Sequence, residues 1–149
     1  MMIVENHQIT YRNVASKLYN FLPEEIDIAL KDFDMILTSN DYHPTGTIFF
    51  TIISDPTSEV MTAELFLPIM ENYFSLPKEK KVNFRSYFAV DNLLMTRVTD
   101  NFDEQSQVKY RELFDYMKQH SMIQKTPVFV QYRKTKSNQT YAEISLGVI

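Results

Sequence analysis

Two glutamates in strand-like runs are the residues best placed to do chemistry in this sequence. Glu143 lies within Thr140 to Val148, and Glu64 lies within Val60 to Ile69. Successive side chains of a strand point to opposite faces. Ala142, Ile144, Leu146 and Val148 therefore share one side, and Tyr141, Glu143, Ser145 and Gly147 the other. The earlier run repeats the pattern, with Ala63, Leu65, Leu67 and Ile69 opposite Thr62, Glu64 and Phe66. Glutamate is a poor strand former, yet each half sets one mid-strand, beside an aromatic and away from the aliphatic face. Two environments fit. Either both are acids facing water, or they form the floor of a cleft walled by Tyr11, Phe50, Phe66, Tyr132 and Tyr141. A carboxylate among aromatic rings suits a lipophilic cation, held by Coulomb attraction at low dielectric and by cation–π contact.

Other chemistries find little footing. The two glycines, Gly46 and Gly147, are too far apart for either common phosphate-cradling loop. The absence of cysteine removes disulfides, thiolate nucleophiles and Cys-ligated metal centres, and fits a cytoplasmic protein. His7, His43 and His120 fall in a terminus, a turn and a helix end, with no metal-ligand spacing. No metal, cofactor or G-x-S-x-G nucleophile elbow is expected. A net charge of −4 argues against binding nucleic acid, which needs a concentrated basic surface. Lys78 to Lys81, interrupted by Glu79, reads as a solvated linker. The N-terminal residues show no signal peptide, and no run of 18 apolar residues suggests a membrane span. The sequence leaves the oligomeric state open.

The elements that must position the glutamates recur in order. Gln8 to Tyr19 reads as strand. Pro23 with Glu24 and Glu25 then suits a helix start, where proline loses no hydrogen bond and acids meet the dipole. Ile26, Ala29, Leu30, Phe33 and Leu37 mark one helical face. Asn40 to Gly46 is a turn, Thr47 to Ile53 a strand, Ser54 to Ser58 a turn, and Val60 to Ile69 the returning strand. The second half follows suit. Arg85 to Thr99 is strand, and a helix then presents Tyr110, Leu113, Phe114 and Met117. Val128 to Arg133 and Thr140 to Val148 close the chain. The halves match at an offset of 80 residues up to the hairpin turn and 79 after it. The prediction is an α+β protein, one domain over 1–149, built from a duplicated βαββ unit. The repeats span about 3–70 and 82–149, with a connector at 71–81.

On this order, and on three short matches, the chain resembles the GyrI-like, or effector-binding, superfamily. That group includes ligand domains of multidrug-responsive transcription regulators and stand-alone gyrase-inhibitor-like proteins. Asn40-Asp-Tyr-His-Pro-Thr-Gly46 resembles the segment after the family's first helix. Ala63-Glu64-Leu-Phe-Leu-Pro68 and Ala142-Glu143-Ile-Ser-Leu146 resemble its closing strands. The family's Gly-Pro-Tyr-like turns are replaced by Asn20-Phe21-Leu22-Pro23 and Asp100-Asn101-Phe102-Asp103. The resemblance implies an antiparallel sheet, two helices on one face and a cleft near a pseudo-twofold axis. It also implies that Glu143, with Glu64 as its repeat mate, anchors amphipathic or cationic ligands without catalysis. With the first strand starting so near Met1, a stand-alone bacterial module is expected. Two alternatives stay open: a protein-binding inhibitor, chaperone or accessory protein, with a fainter likeness to proteins of type VII secretion loci, and a small-molecule hydrolase of the same fold.

Overall fold

A computed structural model of the protein describes residues 2–55 and 58–149, without the side chain of Asp103. The elements are β1 (Val4–Phe21), α1 (Ile26–Thr38), β2 (Phe49–Ile52), β3 (Met61–Pro68), β4 (Asn83–Val98), α2 (Phe102–Gln119), β5 (Gln124–Lys134) and β6 (Thr140–Val148). The described residues thus form two helices and six antiparallel strands, an α+β protein. The chain groups into two compact units. One is residues 10–89; the other joins the segment ending at Ile9 to residues 90–149.

In the unit formed by residues 10–89, the strands lie in the order β1–β3–β2. Leu18 and Thr51 stand opposite Glu64, and Ser16 and Phe49 stand opposite Phe66. Directly paired residues share a face. Glu64, Phe66, Phe49, Thr51 and Ser16 therefore look one way, while Ala63, Leu65, Tyr19 and Phe50 look the other. The second face carries α1. Its Ala29, Phe33 and Leu37 are buried, the Tyr19 ring meets Phe33 edge-on at 6.3 Å, and the Tyr19 hydroxyl donates to Asp32 Oδ2 at 2.6 Å. Pro23 begins a single 3-10 turn, Pro23–Glu25, that leads into α1. The expected turn from Ser54 to Ser58 includes Pro56 and Thr57, which lie outside the described residues.

The connector is tied down by aromatic side chains. Tyr42 stacks on Phe74 at 4.7 Å, and Phe74 stacks on Phe84 at 5.5 Å. The Ser75 backbone N–H donates to the Tyr42 hydroxyl at 2.7 Å.

The other unit orders its strands β4–β6–β5. Arg97 and Gln131 stand opposite Glu143, Met95 and Phe129 opposite Ser145, and Val98 and Tyr132 opposite Ala142. The Ala142 face carries α2, whose Tyr110, Leu113 and Met117 are buried. Phe114, expected on the same helical face, is 37% exposed and stands outside that core.

Both long strands bend at an asparagine in the left-handed region, Asn13 and Asn92, each with φ of 55°. Each sits one residue before its ladder begins, at Val14 and Leu93. β5 starts earlier than its apolar run suggests, because the ladder shifts between Gln124 and Val128. There the Thr126 hydroxyl accepts the Gly147 N–H at 2.7 Å.

Candidate functional site

The two glutamates differ in how their charge is met. β6 is buried from Ala142 to Val148 on both faces, so Glu143, 6% exposed, is not a surface acid. Arg133 Nε donates to its Oε1 at 2.9 Å, and Arg97 Nε lies 3.5 Å from its Oε2. The Arg97 guanidinium also covers the Tyr141 ring at 5.6 Å. The chain itself thus supplies both the cation and the cation–π contact expected of a ligand. Tyr141 reaches a polar hollow with Thr99, Thr135, Gln139 and Thr140. His7 completes the surroundings: burial lowers its pKa, Glu143 raises it, and Arg133 and Arg97 lower it. Its Nε2 is buried without a hydrogen-bond partner among the described residues.

Glu64 is half-buried, and among the described residues its carboxylate takes one hydrogen bond, from Ser16 Oγ to Oε2 at 2.7 Å. Leu18, paired opposite it, is 56% exposed, so this stretch of the face reaches solvent. Two residues along, the same face becomes an aromatic cluster. Phe49 stacks on Tyr11 and on Phe66, both at 4.9 Å, and Phe88 tilts against Phe66 at 4.9 Å. The Arg85 guanidinium lies 5.8 Å from the Phe66 ring and 5.7 Å from that of Phe88.

Of the aromatic candidates, Tyr11 and Phe66 therefore gather on the Glu64 face, and Tyr141 accompanies Glu143. Phe50 and Tyr132 do not. Phe50 pairs with Leu65 on the helix side, and Tyr132 meets Phe102 of α2 edge-on at 5.9 Å. Their facing depends on hairpin register, which alternation within one strand does not report. Phe49, Phe88 and the three arginines were passed over. Arg97 and Arg133 reach Glu143 across paired strands, and Arg85 reaches the rings of Phe66 and Phe88, so no spacing along the sequence marks them.

A family model described as a domain of unknown function, DUF5085, matches residues 10–148. The chain belongs to the DUF5085 family. No curated protein matches it. Among solved structures, this DUF5085 chain is similar to the crystal structure of the EcmrR C-terminal domain, with a TM-score of 0.71 at 15% identity, covering 100% of this chain and 99% of that one. It is also similar to EcmrR in the cryo-EM structure of the EcmrR–DNA complex, with a TM-score of 0.76 at 13% identity. That match covers 99% of this chain but spans only 57% of the EcmrR chain. At such identities the likeness is one of fold alone. In the DUF5085 chain no three metal-ligating side chains come together among the described residues. No described helix is long and apolar enough to cross a membrane.

Proposed function

We propose that this DUF5085 domain is a non-catalytic small-molecule-binding module of GyrI-like type, taking amphipathic cations at Glu64 rather than Glu143. One observation carries the reading. Glu64 is a half-buried carboxylate whose single partner among the described residues is a neutral hydroxyl, on the face of a ring cluster that already holds a guanidinium. A carboxylate in that setting gains from a second cation, and the rings contribute cation–π attraction to it. Glu143 has that need met by two arginines.

The registers also support an internal duplication. Val14 opposite Pro68 corresponds to Leu93 opposite Gly147, and Leu18 opposite Glu64 to Arg97 opposite Glu143. In this register the first strands match at 79 residues rather than 80, the same offset as the closing strands. The middle strands match at 80, with Phe49 opposite Phe66 and Phe129 opposite Ser145. At these offsets the repeat mates of Arg97 and Arg133, which neutralise Glu143, are Leu18 and Ile53, neither of them a cation, and Glu64 stays available.

Thermal unfolding with a hydrophobic quaternary ammonium such as benzyltributylammonium tests the assignment, since a ligand that binds only the native state raises Tm. The shift is expected in wild type and in Glu143→Gln, and is lost in Glu64→Gln. Loss in Glu143→Gln alone would return the anchor to that residue, and no shift in any of the three would reject cation binding. The alternative reading, a protein-binding module, is favoured by one feature: Ile28 and Met35 of α1, seven residues apart on one helical face, are 66% and 65% exposed.

A further inference from the structure

Helix α1 carries more negative charge than its own stability explains. Glu24, Glu25 and Asp27 sit at its start, where acids meet the helix dipole favourably. Asp32 and Asp34 lack that reason. They lie in the C-terminal half, the last turn holds no basic residue, and aspartate is among the weaker helix formers. Between Pro23 and Thr38 these five acids meet one base, Lys31, and all six side chains are exposed. The resulting −4 equals the net charge of the whole chain. The remaining residues therefore balance, and the negative field is local to this helix. Helix α2 differs: Glu112 and Asp115 are interspersed with Lys109 and Arg111, and Lys118 stands in its last turn.

The acids frame apolar side chains. Ile28 and Met35 are exposed two turns apart, away from the buried Ala29, Phe33 and Leu37. At about 100° per residue, Asp32 falls on one flank of this stripe and Asp27 and Asp34 on the other, with Lys31 between Ile28 and Met35. Singly, exposed apolar side chains are ordinary; framed by unbalanced charge, they form a contact surface with a sign. That sign selects the occupant. A second copy offering the same face would set −4 against −4, and an anionic membrane would be repelled likewise. We propose that α1 docks a cationic amphipathic segment of a partner protein. Its apolar residues lie on Ile28 and Met35, and its lysines or arginines meet Asp27, Asp32 and Asp34. The assignment rests on the protein-binding reading, to which it gives a partner chemistry, and uses no residue of the Glu64 face.

The probe is a fluorescent peptide of repeated Lys-Leu-Ala-Lys-Leu-Ala-Lys sequence, titrated with the full chain and read by anisotropy. Its counterpart with Glu for every Lys is the control. The lysine peptide should bind roughly tenfold tighter than the glutamate peptide or better, weaken as salt rises, and shift the Ile28 and Met35 methyl signals in NMR spectra. Ile28→Ser with Met35→Gln should weaken binding roughly tenfold, as should Asp27→Asn with Asp34→Asn. The charge-matched pair Asp91→Asn with Asp115→Asn, and Glu64→Gln alone, should leave it unchanged. The substituted α1 side chains are exposed, and circular dichroism establishes that each variant is folded. Equal binding of the glutamate peptide would overturn the cationic assignment and leave a protein-binding face, whereas binding of neither peptide would overturn both. Undiminished binding in folded Ile28→Ser, Met35→Gln, or an equal loss in the Asp91, Asp115 pair, would reduce the attraction to bulk charge and overturn the docking site. Self-association in sedimentation that the α1 substitutions abolish would give the face to a second copy and overturn it too.

Discussion

His7 and Glu71 each tie stability to pH, and the signs agree. Burial is the largest influence on His7 and lowers its pKa from the ordinary 6.5. Below about 6.5 the unfolded chain therefore takes up a proton that the folded chain resists, and stability falls with pH. Glu71 receives the His43 backbone N–H at 2.9 Å on Oε1 and His43 Nδ1 at 2.6 Å on Oε2. These contacts hold its carboxyl below the usual range. Its contribution is present above the unfolded value and lost as pH falls through the depressed one. Urea denaturation from about pH 8 to about pH 3 should show two losses, the first in the His7 range and the second in the acidic range below the ordinary glutamate value. His7→Asn should flatten the first and Glu71→Gln the second; a pH-independent midpoint in wild type would contradict both. The sequence made Glu143 and Glu64 visible, since acids mid-strand are unusual. It did not distinguish them, because their difference comes from Leu18 and Arg97, which reach the acids only through strand pairing.

Element boundaries were legible wherever local chemistry sets them. β6 runs from Thr140 to Val148 as its alternation predicts, and the face of α1 buries Ala29, Phe33 and Leu37. Alternation fails where the backbone turns left-handed. Asn13 and Asn92 each displace a long strand, and asparagine is among the few non-glycine residues that visit that region readily. Asn13→Gly should therefore leave stability nearly unchanged, whereas Asn13→Val should lower it by about 1–3 kcal/mol, read from the chemical-denaturation midpoint. Glycine was harder to interpret. Gly46 has no positive φ, and an added Cβ would make only ordinary contact with Pro68, at 3.9 Å. Gly147 is the constrained one, for an added Cβ would lie 2.7 Å from Thr126 Cγ2 and 3.0 Å from its Oγ1. Gly147→Ala should destabilise by roughly 1–3 kcal/mol through overpacking. Thr126→Ser in that background removes the methyl and keeps the hydroxyl, so a double-mutant cycle should show partial recovery.

At the scale of the whole molecule, the grouping of the chain departs from its sequence order. Residues 10–89 form one unit without interruption, whereas the other draws on the segment ending at Ile9 as well as residues 90–149. No sequence pattern announced this: Gln8 to Tyr19 reads as strand, and the observed strand, Val4–Phe21, runs further in both directions and contributes to both units. A fragment of residues 10–89 should melt cooperatively by circular dichroism. Residues 90–149 alone should not, until a peptide of residues 2–9 restores the strand beside Thr96. A cooperative melt of 90–149 without that peptide would refute the dependence. On the ribosome the same arrangement becomes a matter of timing. Residues 2–9 emerge well before residues 90–149, with which they form one unit, and at about 5–20 residues per second they wait on the order of ten seconds for those partners. Throughout that interval Val4 and Ile9, half-buried and buried in the fold, are apolar side chains without their partners, and nascent-chain handling of this protein should be most consequential there.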